Sequence, residues 1–254
     1  MMKEIRSKDN RIYKECLRLS QRKYRDKEGR YLIEGFNLIG EAPCRELDYI
    51  VIRESQALEA PDFGRVYLME DDLFGKIAQT QTSQGILAVM NKHAFSIEEI
   101  AEAVADGGNV LVLDRLQDPG NIGTMIRTAE GAGYKAVFAL KGTADVYSPK
   151  TIRAAAGSVF RIPIIHVEDN RELAALTGKL NKRLTVTSLQ TDKFYYDVDL
   201  SEDTALVIGN EGNGVSEELL DMADIKVKIP MEGSLESLNA SVAAGILMYE
   251  TQRK

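Results

Sequence analysis

Cysteine and histidine are scarce in this sequence, with two residues of each among 254. Cys16 and Cys44, together with His93 and His166, form neither a C-x-x-C nor an H-E-x-x-H arrangement. This argues against a zinc site or a disulfide framework, so we expect no bound metal and two reduced thiols. His166 lies in the apolar run "RIPIIHV", a position that favours a strand residue over a general base.

Long apolar runs and nucleotide-binding loops are also missing. No stretch of about 18 apolar residues is present, which predicts that no helix spans a membrane. The N-terminus "MMKEIRSKDN" lacks the apolar core of a signal peptide, so we expect a cytoplasmic location. The patterns G-x-x-x-x-G-K-S/T and G-x-G-x-x-G are both absent, which argues against a P-loop nucleotide triphosphatase and a nicotinamide-dependent enzyme.

The net charge of −7 is unevenly distributed. Residues 1–35 hold 11 Lys/Arg and 6 Asp/Glu, concentrated in "RLSQRKYRDKEGRY". Such a patch can bind a phosphate backbone, or it can be a solvated helix face, and charge alone leaves both open. Tyr13, Tyr24 and Tyr31 lie among these cations and could stack on bases, although Tyr31 begins a strand pattern that favours core packing.

The first part of the chain indicates a small α/β domain. Helical periodicity over 8–20 places Ile12, Cys16, Leu17 and Leu19 on one apolar side. Strand and helix patterns then alternate from "RYLIEG" to "GILAVM". We predict a first domain over 1–95, a linker over 96–107 and a second domain over 108–254.

The second part alternates more regularly and predicts a mostly parallel sheet covered by helices on both faces. Its strand candidates are "VLVLD", "KAVFAL", "IPIIHV", "LTVTSL", "TALVIG" and "IKVKIP". Helices are predicted to begin near Asn121, Ser148, Asn170, Ser216 and Ser237.

Three loops of unusual composition follow these strands, where ligands bind in open α/β sheets. They are "DRLQDPGNIG", "GNEGNG" (209–214) and "PMEGSLESLNAS" (230–241). Each also has a structural explanation, because Asn121 and Ser237 are good helix N-caps and Gly133 is a good C-terminal stop. The first helix would bury one face and expose Arg127, either for chemistry or as a surface pair with Glu130. The predicted buried face comprises Ile122, Met125, Ile126, Ala129 and Ala132.

In this order, "NIGTMIR", "IGNEGNG" and "IPMEGSLESLNASVAAG" resemble the three signature motifs of the SpoU (TrmH-type) RNA ribose 2′-O-methyltransferases, members of the knotted SPOUT class. The resemblance covers residues 108–252, and Ala240 and Glu236 are slight departures from the third motif. "KYRDKEGRYLIEG" and "QTSQGILAV" resemble the L30e-like substrate-binding domain often fused ahead of it. The implied fold is a trefoil-knotted α/β domain with a mostly parallel sheet, preceded by a smaller L30e-like α/β domain.

The resemblance implies a pocket for S-adenosylmethionine and a set of catalytic side chains. Arg127 matches the catalytic arginine of the first motif, as a general base or as a phosphate clamp that orients the ribose. The catalytic candidates are Asn121, Arg127, Glu211, Ser237 and Asn239. The cofactor-binding candidates are Thr187, Ser188, Leu189, Gly209, Asn210, Gly214, Ile229 and Leu238.

The activity implied by the resemblance is methyl transfer to a ribose 2′-hydroxyl, with ribosomal RNA as the preferred substrate. Transfer RNA is the first alternative, and a non-catalytic RNA-binding or ribosome-assembly factor with the same fold is the second. A homodimer is also implied. One side of the last helix could serve the dimer or the core, and it carries Leu238, Val242, Gly245, Ile246 and Tyr249.

Overall fold

The computed structural model describes residues 3–105, 107–234 and 237–253. It divides into two compact units. The first unit comprises the chain up to His93 together with Tyr147–Arg153, and the second comprises Ala94–Val146 and the chain from Ala154 onward. Within the described ranges, no helix has the length and apolar character needed to cross a membrane.

A mixed five-stranded sheet forms the centre of the first unit. Its strands are β1 Lys3–Ile5, β2 Arg30–Glu34, β3 Leu47–Arg53, β4 Val66–Met69 and β5 Ile86–Asn91. They lie in the order β1-β4-β3-β5-β2, and β5 is antiparallel to both of its neighbours. The helices are α1 Arg11–Leu19, α2 Arg22–Glu28, α3 Phe36–Glu41 and α4 Asp71–Ile77.

Helix α1 buries a different set of side chains from the predicted one. Tyr13, Cys16 and Leu19 are buried, but Leu17 is 42 % exposed, so its predicted place on the apolar side is wrong. The reason is geometric, because Leu17 lies about 100° around the helix from Cys16. Burial raises the pKa of the Cys16 thiol to about 12, which keeps it protonated and inert. Since Tyr13 and Tyr31 are both buried, of the three tyrosines only Tyr24 stays accessible to a base.

A six-stranded sheet forms the centre of the second unit and confirms the predicted parallel architecture. The strands are β6 Val110–Leu113, β7 Ala136–Leu140, β8 Ile164–Val167, β9 Arg183–Thr187, β10 Thr204–Ile208 and β11 Ile225–Val227. Their order is β11-β9-β10-β6-β7-β8, and every neighbouring pair is parallel. The helices of this unit are α5 Ile97–Ala103, α6 Pro119–Gly131, α8 Asn170–Lys179, α9 Glu217–Met222 and α10 Ala240–Glu250, whereas most of α7 Pro149–Ala155 belongs to the first unit.

Most of the segment expected to be a linker, 96–107, is the helix α5. A capping box of Ser96 and Glu99 begins this helix. Ile100 and Val104 are buried and pack into the apolar core of the second unit. The segment is therefore anchored to the second unit by its own apolar side chains.

Helix α6 begins two residues earlier than predicted, so the N-cap assignment to Asn121 is wrong. Asp118 is the N-cap, and its carboxylate accepts a hydrogen bond from the Asn121 backbone N–H at 2.9 Å. Pro119 follows at the first helical position, where a missing N–H costs nothing. Gly133 has φ +75 beyond the helix end, as expected for a stop signal. All five residues of the predicted buried face are buried: Ile122, Met125, Ile126, Ala129 and Ala132.

Candidate active site

The loops after β6 and β10 are joined by the carboxylate of Glu211. It accepts hydrogen bonds from the backbone N–H groups of Gln117 at 3.1 Å and Asp118 at 3.2 Å. It also accepts one from the Asn121 side-chain amide at 3.2 Å. Since β6 and β10 are neighbours in the sheet, Glu211 ties the second of the three loops to the start of α6.

The loop after β11 joins the same network through Asn239. The Asn239 amide donates to the Asn121 side-chain oxygen at 3.1 Å. Its own side-chain oxygen accepts from the N–H groups of Ser241 at 2.9 Å and Val242 at 3.3 Å. Asn239 is therefore the N-cap of α10, and the assignment of that cap to Ser237 is wrong. Three segments that are distant in sequence meet in one continuous set of hydrogen bonds.

The environment of Glu211 favours the ionised carboxylate. Burial raises the pKa of this carboxyl. Hydrogen bonds from the backbone N–H groups of Glu211, Gln117 and Asp118 and from the Asn121 side-chain amide together lower the pKa by more than burial raises it. The net result is a pKa below the ordinary glutamate value. Glu211 therefore acts as an anionic acceptor at neutral pH, and its contacts hold the first loop without involving Arg127.

Replacing Glu211 by glutamine should weaken the site in a pH-dependent way. Because its pKa is lower in the folded chain, Glu211 stabilises the fold above about pH 4.3, and this contribution disappears as pH falls through the folded pKa. We expect Glu211→Gln to melt below the wild type at both pH 7 and pH 3 in thermal denaturation, with a smaller difference at pH 3. The exposed Glu102→Gln should melt like the wild type throughout. An equal difference in melting temperature between Glu211→Gln and the wild type at both pH values would contradict a stabilising role of the ionised Glu211 carboxylate.

A cavity of about 670 Å³ opens beside these loops. The catalytic candidates Glu211, Ser237 and Asn239 line it, whereas Asn121 and Arg127 are not among the described residues of its wall. The wall also includes every predicted cofactor-binding residue: Thr187, Ser188, Leu189, Gly209, Asn210, Gly214, Ile229 and Leu238.

The loop after β10 is folded too tightly to admit a side chain at Gly209. A Cβ placed there would lie 2.2 Å from the Val215 nitrogen and 2.3 Å from the Gly214 carbonyl carbon. The backbones of Asn210 and Gly214 exchange hydrogen bonds of 3.0 and 2.8 Å, and the Asn210 side chain accepts from Gly212 N–H at 3.0 Å. The missing side chain at Gly209 therefore leaves room for the turn, and both Gly209 and Gly214 line the cavity.

Arg127 lies on the exposed side of α6, two turns beyond the network. It forms no hydrogen bond or ion pair with any residue that the structure describes. The surface pair with Glu130 is not formed, because Glu130 accepts from Arg161 at 2.5 and 3.1 Å. The guanidinium of Arg127 is thus available to an external anion.

Sequence reasoning missed two residues of this site. Asp118 caps α6, and the pair Asp118–Pro119 is the local signal that could have revealed it. Gln117 has no such signal, because its role depends on contacts with distant loops. Of the third motif, Leu235 and Glu236 lie outside the described residues.

Comparisons with known proteins agree with this geometry. Residues 108–249 match the model of the SpoU rRNA Methylase family, and residues 10–88 match the MRM3-like substrate binding domain. The chain is 38 % identical to the 23S rRNA (guanosine(2553)-2′-O)-methyltransferase RlmP of Bacillus subtilis, with 98 % of each chain covered. It is 30 % identical to the 23S rRNA (uridine(2479)-2′-O)-methyltransferase of Streptomyces viridochromogenes, over 99 % of this chain and 92 % of the relative.

Solved structures show the same similarity. An AdoMet-bound rRNA methyltransferase from Sinorhizobium meliloti superposes with a TM-score of 0.86 at 27 % identity, covering 99 % of this chain and 98 % of the other. The likeness thus extends over both units, and the family match spans the three loops and the cavity. This chain belongs to the SpoU rRNA methylase family.

Proposed function

We propose that this protein transfers the methyl group of S-adenosylmethionine to a ribose 2′-hydroxyl of 23S ribosomal RNA. The observation that carries the proposal is the hydrogen-bonded meeting of the three motif loops at one cavity. Similarity to RlmP over 98 % of both chains supports ribosomal RNA as the substrate, because it includes the substrate-binding domain as well as the catalytic one.

The cavity fits a cofactor of this kind. Its volume of about 670 Å³ lies within the range of about 300–1,000 Å³ typical of small-molecule sites. Thr187–Leu189 would form one wall, the tight turn from Gly209 to Gly214 would form another, and Ile229 and Leu238 would supply apolar contacts. When bound, S-adenosylmethionine supplies a methyl group already activated by its sulfonium. The trefoil knot implied by the resemblance stays a prediction.

The chain's own contribution is to position the RNA. We assign Arg127 the role of a phosphate clamp, because a guanidinium does not give up its proton readily. This guanidinium also forms no ion pair with a carboxylate of the described residues. Holding the phosphate next to the target ribose would align the 2′-oxygen with the methyl group. Ser237 and Asn239 are exposed and line the cavity, and we assign to them contacts with the ribose.

The substrate-binding surface that we assign is the exposed face of α1 and α2. Arg11, Lys23 and Lys27 lie on it and form no ion pair with the described part of the chain. The Arg18 guanidinium lies 5.9 Å from the centre of the half-buried Tyr24 ring, so a base could stack beside a cation. Exposed cations on the same two helices as this Arg18–Tyr24 pair suit an RNA backbone with an unstacked base.

Removing Lys23 and Lys27 should weaken RNA binding because fewer phosphates would be neutralised. For the variant Lys23→Ala/Lys27→Ala, we expect the slope of log affinity against log salt concentration to fall by about 0.7 for each phosphate that the protein no longer neutralises. Lys76→Ala, which removes an exposed lysine of α4, should leave the slope unchanged. The slope is measured by filter binding of a ribosomal RNA fragment at several salt concentrations. An unchanged slope in the double variant would show that the RNA does not bind at this face of α1 and α2.

A homodimer in the cytoplasm completes the proposal. Helix α10 buries Ala244, Leu247 and Met248 against its own unit, while Val242 and Tyr249 on the other side are 51 % and 57 % exposed. A helix that is apolar on both sides is typical of an interface, and we assign this face to a second copy of the chain. Both cysteines are free thiols, which suits a reducing compartment.

The test is methyl transfer from labelled S-adenosylmethionine to unmodified RNA, followed by nucleoside mass spectrometry. We expect a 2′-O-methylguanosine in 23S RNA, as in the name of the relative with 38 % identity. 2′-O-Methyluridine would show that the target nucleotide is a uridine. Label in transfer RNA alone would show that transfer RNA is the substrate. Cofactor binding without transfer to free or ribosomal RNA would favour a non-catalytic RNA-binding factor.

A further inference from the structure

The carbonyl of Arg115 lies where the loops after β6 and β10 approach each other. Arg115 has φ +56, a left-handed conformation that side chains other than glycine seldom adopt. Its carbonyl oxygen accepts hydrogen bonds from the side-chain amides of Asn210 at 2.8 Å and Gln117 at 2.9 Å. Such a conformation persists only where surrounding contacts hold it, and these two amides are placed to do so.

The side-chain amide of Gln117 lies within hydrogen-bond distance of the backbone carbonyl oxygens of Arg115, Leu116 and Gly142. The Gly142 oxygen, after β7, lies 2.8 Å from the amide nitrogen, and the Gln117 backbone N–H donates to Glu211. One residue therefore connects the loops after β6, β7 and β10. Asn210 lines the cavity, and α6 begins two residues after Gln117.

We propose that Gln117 is a positioning residue for methyl transfer: its amide holds the Arg115 carbonyl and so sets the place of α6, with Arg127, relative to the cofactor cavity. This inference rests on the proposed function. Gln117 does not line the cavity among the described residues and is not expected to touch the cofactor. Its loss should therefore affect the rate of transfer and leave cofactor affinity unchanged.

The amide is required because every partner of the side chain is a carbonyl oxygen. A carboxylate at this position would be repelled by these oxygens, whereas a protonated carboxyl could donate one hydrogen bond. Gln117→Glu should therefore be less active than Gln117→Ala at pH 8, and its activity relative to the wild type should rise as pH is lowered. A residue needed only for loop stability would not show this pH dependence.

The experiment compares wild type, Gln117→Ala, Gln117→Glu and the exposed control Glu102→Ala. We expect kcat to fall by about 10²-fold in Gln117→Ala, with unchanged KM for RNA and unchanged calorimetric Kd for S-adenosylhomocysteine. Asn210→Ala should lower kcat by a smaller factor in the Gln117→Ala variant than in the wild type, because both amides share the Arg115 carbonyl oxygen as acceptor. Wild-type kcat in Gln117→Ala, or a parallel loss of kcat, cofactor affinity and Tm, would overturn the inference. No transfer by the wild type would instead overturn the proposed function.

Discussion

Arg127→Ala is expected to lower methyl transfer to ribosomal RNA by about 10³-fold, with cofactor affinity and Tm unchanged. The effect should be confined to the reaction because Arg127 is exposed and makes no hydrogen bond within the described chain whose loss could weaken the fold. The measurement is single-turnover transfer with S-adenosylhomocysteine titration calorimetry on the same samples. Arg171→Ala, which removes an exposed arginine of α8, should retain full activity.

Arg127→Lys separates the two roles that the arginine can have. A lysine keeps a point charge for a phosphate but loses the planar fork, so a clamp predicts partial activity with the wild-type pH profile. A general base predicts a profile shifted to lower pH, because an ammonium loses its proton more readily than a guanidinium. Full activity in Arg127→Ala would remove the residue from the mechanism altogether.

Gly209→Ala should abolish cofactor binding. The added Cβ would lie 2.2–2.6 Å from backbone atoms of Gly214 and Val215, so the backbone on one side of the turn must move. Moving it breaks the paired hydrogen bonds between Asn210 and Gly214 and displaces the cavity wall. We expect no detectable calorimetric binding of S-adenosylhomocysteine and a loss of about 1–3 kcal/mol in the free energy of unfolding.

The matched control is Gly178→Ala, in α8. A Cβ at Gly178 has no atom within 4 Å, and alanine favours the helix, so this variant should bind cofactor normally and gain about 0.5–1 kcal/mol of stability. Normal cofactor affinity in Gly209→Ala would show that the cavity is not the cofactor site. Equal behaviour of the two glycine variants would show that steric crowding at Gly209 is unimportant.

The second sheet could be predicted because its strands are buried on both faces. A strand such as Val110–Leu113 is apolar at every position, and that pattern with intervening helices indicates parallel pairing. The secondary structure of the first unit could be predicted less completely. Strand β1 is three residues long, and α2 is a charged helix whose pattern resembles a loop, so neither was predicted.

The cavity wall could also be predicted, through the motifs, but the contacts that assemble the site could not. Glu211 meets Asn121 across 90 residues, and nothing local in either segment specifies the other as its partner. The true caps show the same limit. Asn121 and Ser237 are suitable cap residues by type, yet Asp118 and Asn239 hold those positions because Pro119 and the packing of α10 set where the helices begin.

The hydrogen bond between Asn239 and Asn121 spans 118 residues and has a consequence for biosynthesis. Asn239 follows the strands of the second sheet in the chain, so these strands are synthesised before the site has its third loop. A contact of such long sequence separation forms slowly, because a large loop must close first. The centre of the site is therefore completed after the strands of the second sheet have been made, when α10 docks against α6.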